Sequence, residues 1–332
     1  VRSGTGPDRA GDSGHLVVET LDIVNGGSMT FRSGFACLVG RPNAGKSTLT
    51  NAMVGRKVAI TSDRPQTTRR VLRGVIDRPE GQLVLVDTPG LHRPRTLLGE
   101  RLNDQVRETW SNVDVVGMCI PADQEVGPGD RFIATQISFL RGKSIVAVVT
   151  KVDAVSREVL AERLVEIAEL GVEVGIAWAE VIPVSAVQGH QVDLLVERLI
   201  DLLPEGPVLY PDGDIDEEPT EITIAELIRE AALDGVQDEL PHSIAVVVEE
   251  VVPRESRPAD RPLTDVRAML YVERDSQKAI IIGAGGSRLK VVGTRARHGI
   301  EALLGVPVFL DIRVKVAKDW QKDPKQLRRL GF

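Results

Sequence analysis

An apolar run, FACLV (35–39), passes directly into the glycine turn GRPNAGKST (40–48), and TLTNAMVG (48–55) continues with helical character. A strand that ends in a sharp turn and restarts as a helix leaves few architectures open. The helix has to pack back onto the sheet that holds the strand, so the sheet face is covered and its next parallel strand comes by a crossover. Further apolar segments follow at VLRGVID (71–77), QLVLVD (82–87), VDVVGMCI (113–120), SIVAVVT (144–150) and EVIPVS (180–185), most of them separated by helical stretches. This alternation predicts an α/β domain, a mostly parallel sheet with helices on both faces. Such sheets bind ligands at the carboxyl ends of their strands.

The pattern breaks at PEGPVLYPDGDIDEEPT (204–220), where four prolines and a cluster of acids read as a linker. TIAELIREAAL (223–233) follows, with Ile224, Leu227, Ile228 and Ala231 on one helical face. Two strand-like runs (243–251 and 266–273), a short helix, a glycine turn, a longer helix and a last strand (307–316) then make a small α+β unit. Charge divides along the same line. From Pro241 onward there are 17 Lys and Arg against 11 Asp and Glu, whereas residues 1–240 carry 24 against 37. An acidic front and a basic back point the back at a polyanion.

Two cysteines, Cys37 and Cys119, sit inside apolar runs and read as buried thiols rather than a disulfide or metal pair. No apolar run reaches the roughly 18–20 residues of a membrane-spanning helix, no secretory signal is visible, and no repeat of solenoid spacing is present. Residues 1–28 are polar and poorly patterned. They read as an extension or tag, expected to be disordered, and stand outside the fold argument.

The spacing Gly40-x4-Gly45-Lys46-Ser47 between a strand and a helix is that of a phosphate-binding loop. Backbone N–H groups from Gly40 and Asn43, Ala44 and Gly45 through Lys46, Ser47 and Thr48 would wrap the phosphates, aided by the helix N-terminus. Lys46 would reach the β- and γ-phosphates, and Ser47 would ligate Mg²⁺. The third strand ends in DTPG (87–90), placing Asp87 to hold Mg²⁺ through water and the Gly90 N–H to meet the γ-phosphate. In RPQTTRR (64–70), Thr68 rather than Thr67 is the candidate to close over Mg²⁺ and the γ-phosphate, so Lys46, Thr68 and Gly90 form the expected catalytic set. Two more strand ends, TKVD (150–153) and VSA (184–186), select the base. The Asp153 carboxylate can accept from N1–H and N2–H of guanine, a donor pair adenine lacks. The Lys151 stem can cover the base, and the Ala186 N–H, presented beside Ser185, can donate to guanine O6.

In this order, GRPNAGKS, QTTRR (66–70), DTPGLH (87–92), TKVD and VSA resemble the motifs of the bacterial Era family, GTPases with a C-terminal RNA-binding domain, and the likeness runs from about Phe31 to the end. It implies GTP and GDP as ligands, Mg²⁺ as cofactor, and a G domain (31–205), an acidic Pro-rich linker (206–220), a KH domain of the prokaryotic type (221–318) and a C-terminal tail (319–332). One motif departs. The family usually has Asn where this chain has Thr150, and that Asn ties the base site to the phosphate loop and contacts guanine N7. A threonine hydroxyl is shorter and can do only part of this, so discrimination rests more heavily on Asp153. Leu91 stands where Ras-like GTPases carry the glutamine that orients the attacking water, so slow intrinsic turnover is expected. The resemblance offers a substitute: a potassium ion beside the phosphates at Asn43. His92 reads as an exposed loop histidine rather than a base.

AIIIGAGGSRLK (279–290) holds Gly283, Ala284, Gly285 and Gly286 between two helices and resembles the GxxG loop of KH domains, which clamps about four nucleotides of single-stranded RNA. Lys278, Arg288 and Lys290 flank it as candidate phosphate contacts. Leu289, Val292, Ala296, Ile300 and Leu303 mark the following helix's core face. Aromatics are scarce, so stacking is not expected as the main grip. The resemblance implies the 3′ end of 16S rRNA and the small ribosomal subunit as partners. It also implies peripheral membrane association, although no amphipathic or lipidated segment requires it. A cytoplasmic monomer is the default. The competing reading is an RNA-binding module whose guanine-nucleotide site is mainly structural. A nucleotide kinase fits neither the motif order nor the basic tail domain.

Overall fold

Strand β1 (Arg32–Val39) is the axis of the first domain of the computed structural model. It pairs in parallel with β3 (Gly81–Asp87) on one side and β4 (Val115–Pro121) on the other. β5 (Ser144–Thr150) and β6 (Glu180–Pro183) extend the parallel sheet, and β2 (Leu72–Arg78) lies antiparallel at the opposite edge, giving the order β2-β3-β1-β4-β5-β6. Every residue of β3 and β4 is buried, as strands covered on both faces require, which is why their sequences are continuous apolar runs rather than alternating ones. The chain leaves β1 for the β3 side and returns to the β4 side. The crossover direction therefore reverses at β1, and a crevice opens at the carboxyl ends.

The structure describes residues 30–56, 59, 72–87, 89, 96–211, 220–234, 243–254 and 261–332, and residues 31–332 make one unit. Helices α1 (Lys46–Val54) and α5 (Val192–Asp201) cover one face of the sheet through Leu38, Leu49, Leu85 and Leu195. α5 buries Val192, Leu195, Val196, Leu199 and Ile200, the stripe of a helix with one apolar side. On the other face, α2 (Leu97–Asn112), α3 (Pro128–Ile137) and α4 (Arg157–Val174) bring Val106, Trp110, Ile133 and Ile167 against Val116 and Met118. Ser156 caps the start of α4 by accepting from the Val159 N–H, and Gly175 ends it in the left-handed region.

The Pro-rich segment is pinned to the sheet at its start. The fully buried Gln82 side chain accepts from the N–H groups of Leu209 and Tyr210 and donates to the Tyr210 carbonyl. Helix α6 (Thr220–Leu233) begins at Thr220, a residue counted with the linker in sequence. β7 (Ala245–Pro253), β8 (Thr264–Val272), α7 (Asp275–Ile282), α8 (Ser287–Leu304) and β9 (Val308–Val316) complete the second domain. Its sheet is ordered β7-β8-β9, antiparallel and then parallel. α6 and α8 cover one face around Ile228, Val266, Leu270 and Ile300. Of the expected core face of α8, Val292, Ala296 and Ile300 are buried, but Leu303 is exposed and Leu304 packs instead. The stripe advances by four at each turn, so 304 rather than 303 continues it.

The tail folds back over the other sheet face. α9 (Pro324–Arg329) starts at Asp323, whose carboxylate accepts from the Lys325 N–H. Trp320 is fully buried, donates to the Ser243 carbonyl and stacks on Phe332. Together with Ala245, Tyr271, Leu327 and Leu330 it packs against Leu98 and Leu102 of α2, and Arg101 donates to the Phe332 carbonyl at 2.7 Å. Among the described residues, the two domains thus meet through an apolar cluster and the Arg101 bond. No helix among the described residues is long and apolar enough to cross a membrane.

Candidate functional site

The turn after β1 is forced by its glycines. A Cβ on Gly40 would lie 2.6 Å from the Cys119 carbonyl oxygen, so the turn can hug β4 only without a side chain. Asn43 and Gly45 take left-handed backbone angles, φ 62° and 85°, which curl the chain into a cup at the N-terminus of α1. Lys46 is buried beneath this cup. Its ammonium donates to the carbonyls of Gly40 and Arg41, both at 3.0 Å, and burial holds its pKa below the usual lysine value. Ser47 follows Lys46 in the first turn of α1, with its hydroxyl donating to Asp87 Oδ2 at 3.3 Å at the end of β3. This hydroxyl and carboxylate make an all-oxygen donor pair, the chemistry Mg²⁺ prefers. Thr48 is exposed on the first turn of α1. Thr68, Gly90, Leu91 and His92 lie outside the described residues.

The base-side loops converge on the same rim. Thr150 is buried, and its hydroxyl donates to the Ala44 carbonyl at 2.7 Å. The Val152 N–H donates to the Val184 carbonyl at 3.3 Å, drawing TKVD and VSA together. Ser185 is buried and fixes its loop by accepting from the Gln188 N–H. Ala186 is half-buried beside it, and Asp153 is exposed at the rim. Lys151 adopts φ 58° and pairs with Asp123 at 3.1 Å, which positions its stem. Burial pushes the Cys119 thiol up to about 12 and the Cys37 thiol higher, so neither supplies a thiolate.

Sequence reasoning missed the anchor of the phosphate loop. Arg41 pairs with Asp130 of α3 at 3.2 Å, and Asp130, fully buried, also accepts from the Gly127 N–H. No local pattern signals this, because residues 41 and 130 meet only when α3 docks on the sheet.

In the second domain, Gly283, Gly285 and Gly286 all have left-handed φ, 72°, 57° and 80°, with exposed Ala284 between them. A Cβ on Gly283 would come within 2.8 Å of Arg288 Cβ. The turn borders a groove of about 480 Å³ between α8 and β9. Lys290 lines it. Lys278 is half-buried on α7, outside the groove lining. Arg288 points elsewhere: it donates to the carbonyls of Ala232 and Asp234, capping α6. Gly293, Arg297 and Phe309 line the groove and were not singled out from sequence. The first two share the face of Lys290 at helical spacing, the one signal that could have found them.

Two family models match, one described as a 50S ribosome-binding GTPase over residues 35–151 and one as a KH domain over 239–321. The GTPase Era of Streptomyces coelicolor is 67% identical over 301 residues, which is 91% of this chain and 95% of the relative. The chain belongs to the Era family of GTPases. GTPase Era of Mycobacterium avium is 63% identical over 303 residues, 91% of this chain and 99% of its own. Two solved Era structures, each 34% identical and matched over 91% of this chain and 99% of theirs, superpose with TM-scores of 0.85 and 0.84. One is in complex with MgGDPNP and nucleotides 1506–1542 of 16S ribosomal RNA, and the other is a variant of Aquifex aeolicus Era bound to GDP and AlF4⁻. In this chain the short Thr150 hydroxyl reaches the phosphate loop and ties the base-side loops to it.

Proposed function

We propose that this GTPase uses its bound nucleotide to control capture of the 3′ end of 16S rRNA during small-subunit assembly. One observation carries the reading: both domains align together with an Era structure that holds MgGDPNP and 16S rRNA nucleotides. The division into residues 31–205, 206–220, 221–318 and 319–332 belongs to the same proposal.

GTP would enter the cup at residues 40–48. The Lys46 ammonium, held among loop carbonyls, would turn to the β- and γ-phosphate oxygens, and the amides from Asn43 to Thr48 would share the remaining charge. Mg²⁺ would be held by Ser47, Thr68 and Asp87, and it supplies neutralisation of charge on the phosphates. Asp153, Lys151, Ser185 and Ala186 would select guanine, with Thr150 tying their loops to the cup. Thr68 and Gly90 would fix the γ-phosphate. Asn43, exposed at the mouth of the cup, would share a potassium ion with the phosphates. Equal turnover in Na⁺ and K⁺ buffers would remove that cation from the scheme.

RNA would lie against Gly283–Gly286 and Lys290, with Lys278 as a further candidate contact, while Arg288, expected as a contact, would brace the turn through its bonds to the end of α6. α2 begins just after the DTPG segment and packs on the second domain through Leu98 and Leu102, which supports a route from nucleotide to RNA. GTP must favour the RNA-competent arrangement over the other, or nothing switches. Association with the small subunit and peripherally with membrane, and a cytoplasmic monomer, complete the proposal.

The test is a titration of a labelled oligonucleotide of the 16S rRNA 3′ end at fixed salt with GDPNP, GDP, an ATP analogue or no nucleotide. Tightening with GDPNP alone is expected. Equal binding in all four would break the coupling, and no binding in any would break the RNA assignment.

A further inference from the structure

Three side chains form a stack on the end of the second sheet that the tail leaves bare. Asp265 of β8 and Phe309 of β9 are paired in register and project to the same face. Their neighbours Val266, Val308 and Leu310 pack into the helix-covered core, so this face is the one away from α6 and α8. Arg254, just beyond β7, spans the two. Its guanidinium holds both carboxylate oxygens of Asp265, at 3.0 and 2.5 Å, and lies over the Phe309 ring, 5.0 Å from the centroid. The bidentate pair fixes the guanidinium plane in advance. Phe309 is 52% exposed, and its position on β9 is at the edge of the groove that carries Lys290 and Arg297 on the helix side.

An ordered cation behind an exposed aromatic ring, at the sheet edge beside a basic groove, is an arrangement that can receive a nucleobase. The surroundings argue against an apolar protein anchor, because the ring's neighbours are ion pairs, Arg254 with Asp265 and Arg313 with Asp311. Those pairs also neutralise the two carboxylates that would otherwise repel a phosphate.

We propose that Phe309, backed by Arg254, is a stacking platform for one base of single-stranded RNA, outside the roughly four nucleotides clamped at the glycine turn. The inference rests on the RNA-binding reading above and adds a position to it. It adds one stacking contact to a site where stacking is not expected as the main grip, since one aromatic can serve when its orientation is fixed.

The test uses the full chain with Mg²⁺ and GDPNP and a labelled oligonucleotide of 16S rRNA nucleotides 1506–1542, intact or with single abasic sites. Phe309 is largely exposed, so Phe309→Ala should fold, which thermal unfolding verifies. The expected result is binding weaker by about 5- to 150-fold in Phe309→Ala and near wild type in Phe309→Trp. One abasic position should cost the wild type a similar factor and Phe309→Ala nothing. Gly286→Asp, which sets a carboxylate in the clamp, is the control. If Gly286→Asp abolishes binding while Phe309→Ala stays within about twofold, the platform is refuted and the RNA assignment stands. Weakening without any coupled abasic position refutes it as well. If Phe309→Ala spoils binding to intact small subunits but not to the oligonucleotide, the ring meets a ribosomal protein and the proposal fails. If the wild type does not bind the RNA, the platform falls together with the RNA reading.

Discussion

Thr150→Val isolates the one bond that joins the base site to the phosphate loop. The two side chains have nearly the same shape, but the new methyl replaces an oxygen that lies 2.7 Å from the Ala44 carbonyl, inside carbon–oxygen contact distance, so the loop must also shift to make room. What is lost is the donor to the Ala44 carbonyl, a 2.7 Å bond between a threonine 3% exposed and an alanine fully buried. A carbonyl left unpaired at such a site costs about 1–3 kcal/mol. The bond exists before nucleotide binds, so the first effect falls on stability: the GTPase domain should unfold at lower urea by that amount. Affinity should fall only as far as the loop leaves its competent shape. If all of the cost appears there, labelled GDP binds about 5- to 150-fold more weakly. Thr150→Ser, which keeps the hydroxyl, should restore both. Thr150→Asn should keep the tie and, by reaching toward the base, tighten guanine nucleotides beyond wild type. Urea unfolding and a fluorescent-GDP titration read the two quantities. If Val and Ser variants unfold alike and bind GDP as the wild type does, the bond carries no weight and the argument is wrong.

Gly40→Ala should lose nucleotide binding by more than about tenfold, since its Cβ meets backbone at 2.6 Å and not a movable side chain; equilibrium dialysis with GDP measures it. Leu102→Ala removes a side chain 1% exposed from the cluster joining α2 to the tail. It should cost about 2–5 kcal/mol and speed amide exchange around Trp320, while wild-type exchange there would contradict the packing. The pH dependence of the tail follows from Asp323, whose pKa lies below 3.8 because the backbone N–H of Lys325 donates to it, with the Gln326 side chain next. A depressed folded pKa gives stability that is present above 3.8 and lost as pH falls through the depressed value. Tail protection from proteolysis should therefore weaken in that acid range, and less so in Asp323→Asn.

The sequence by itself determined the elements and the chemistry of the loops. Continuous apolar runs marked the central strands β3, β4 and β5 within a few residues of where they lie, since a strand buried on both faces can carry little else, and the edge strands β2 and β6 were legible as shorter apolar stretches. Gly40, Gly45, Gly283 and Gly286 were legible because close approach and left-handed backbone exclude other residues. Tertiary structure decided what each side chain faces. Arg288 looked like a phosphate contact and caps α6. Thr150 looked like a weakness and holds the loop. Arg41 finds Asp130, α2 finds the tail, and Arg254 finds Phe309 across three strands. These pairs are far apart in sequence, and local periodicity carries no information about partners that only the packing of sheets and helices brings within reach.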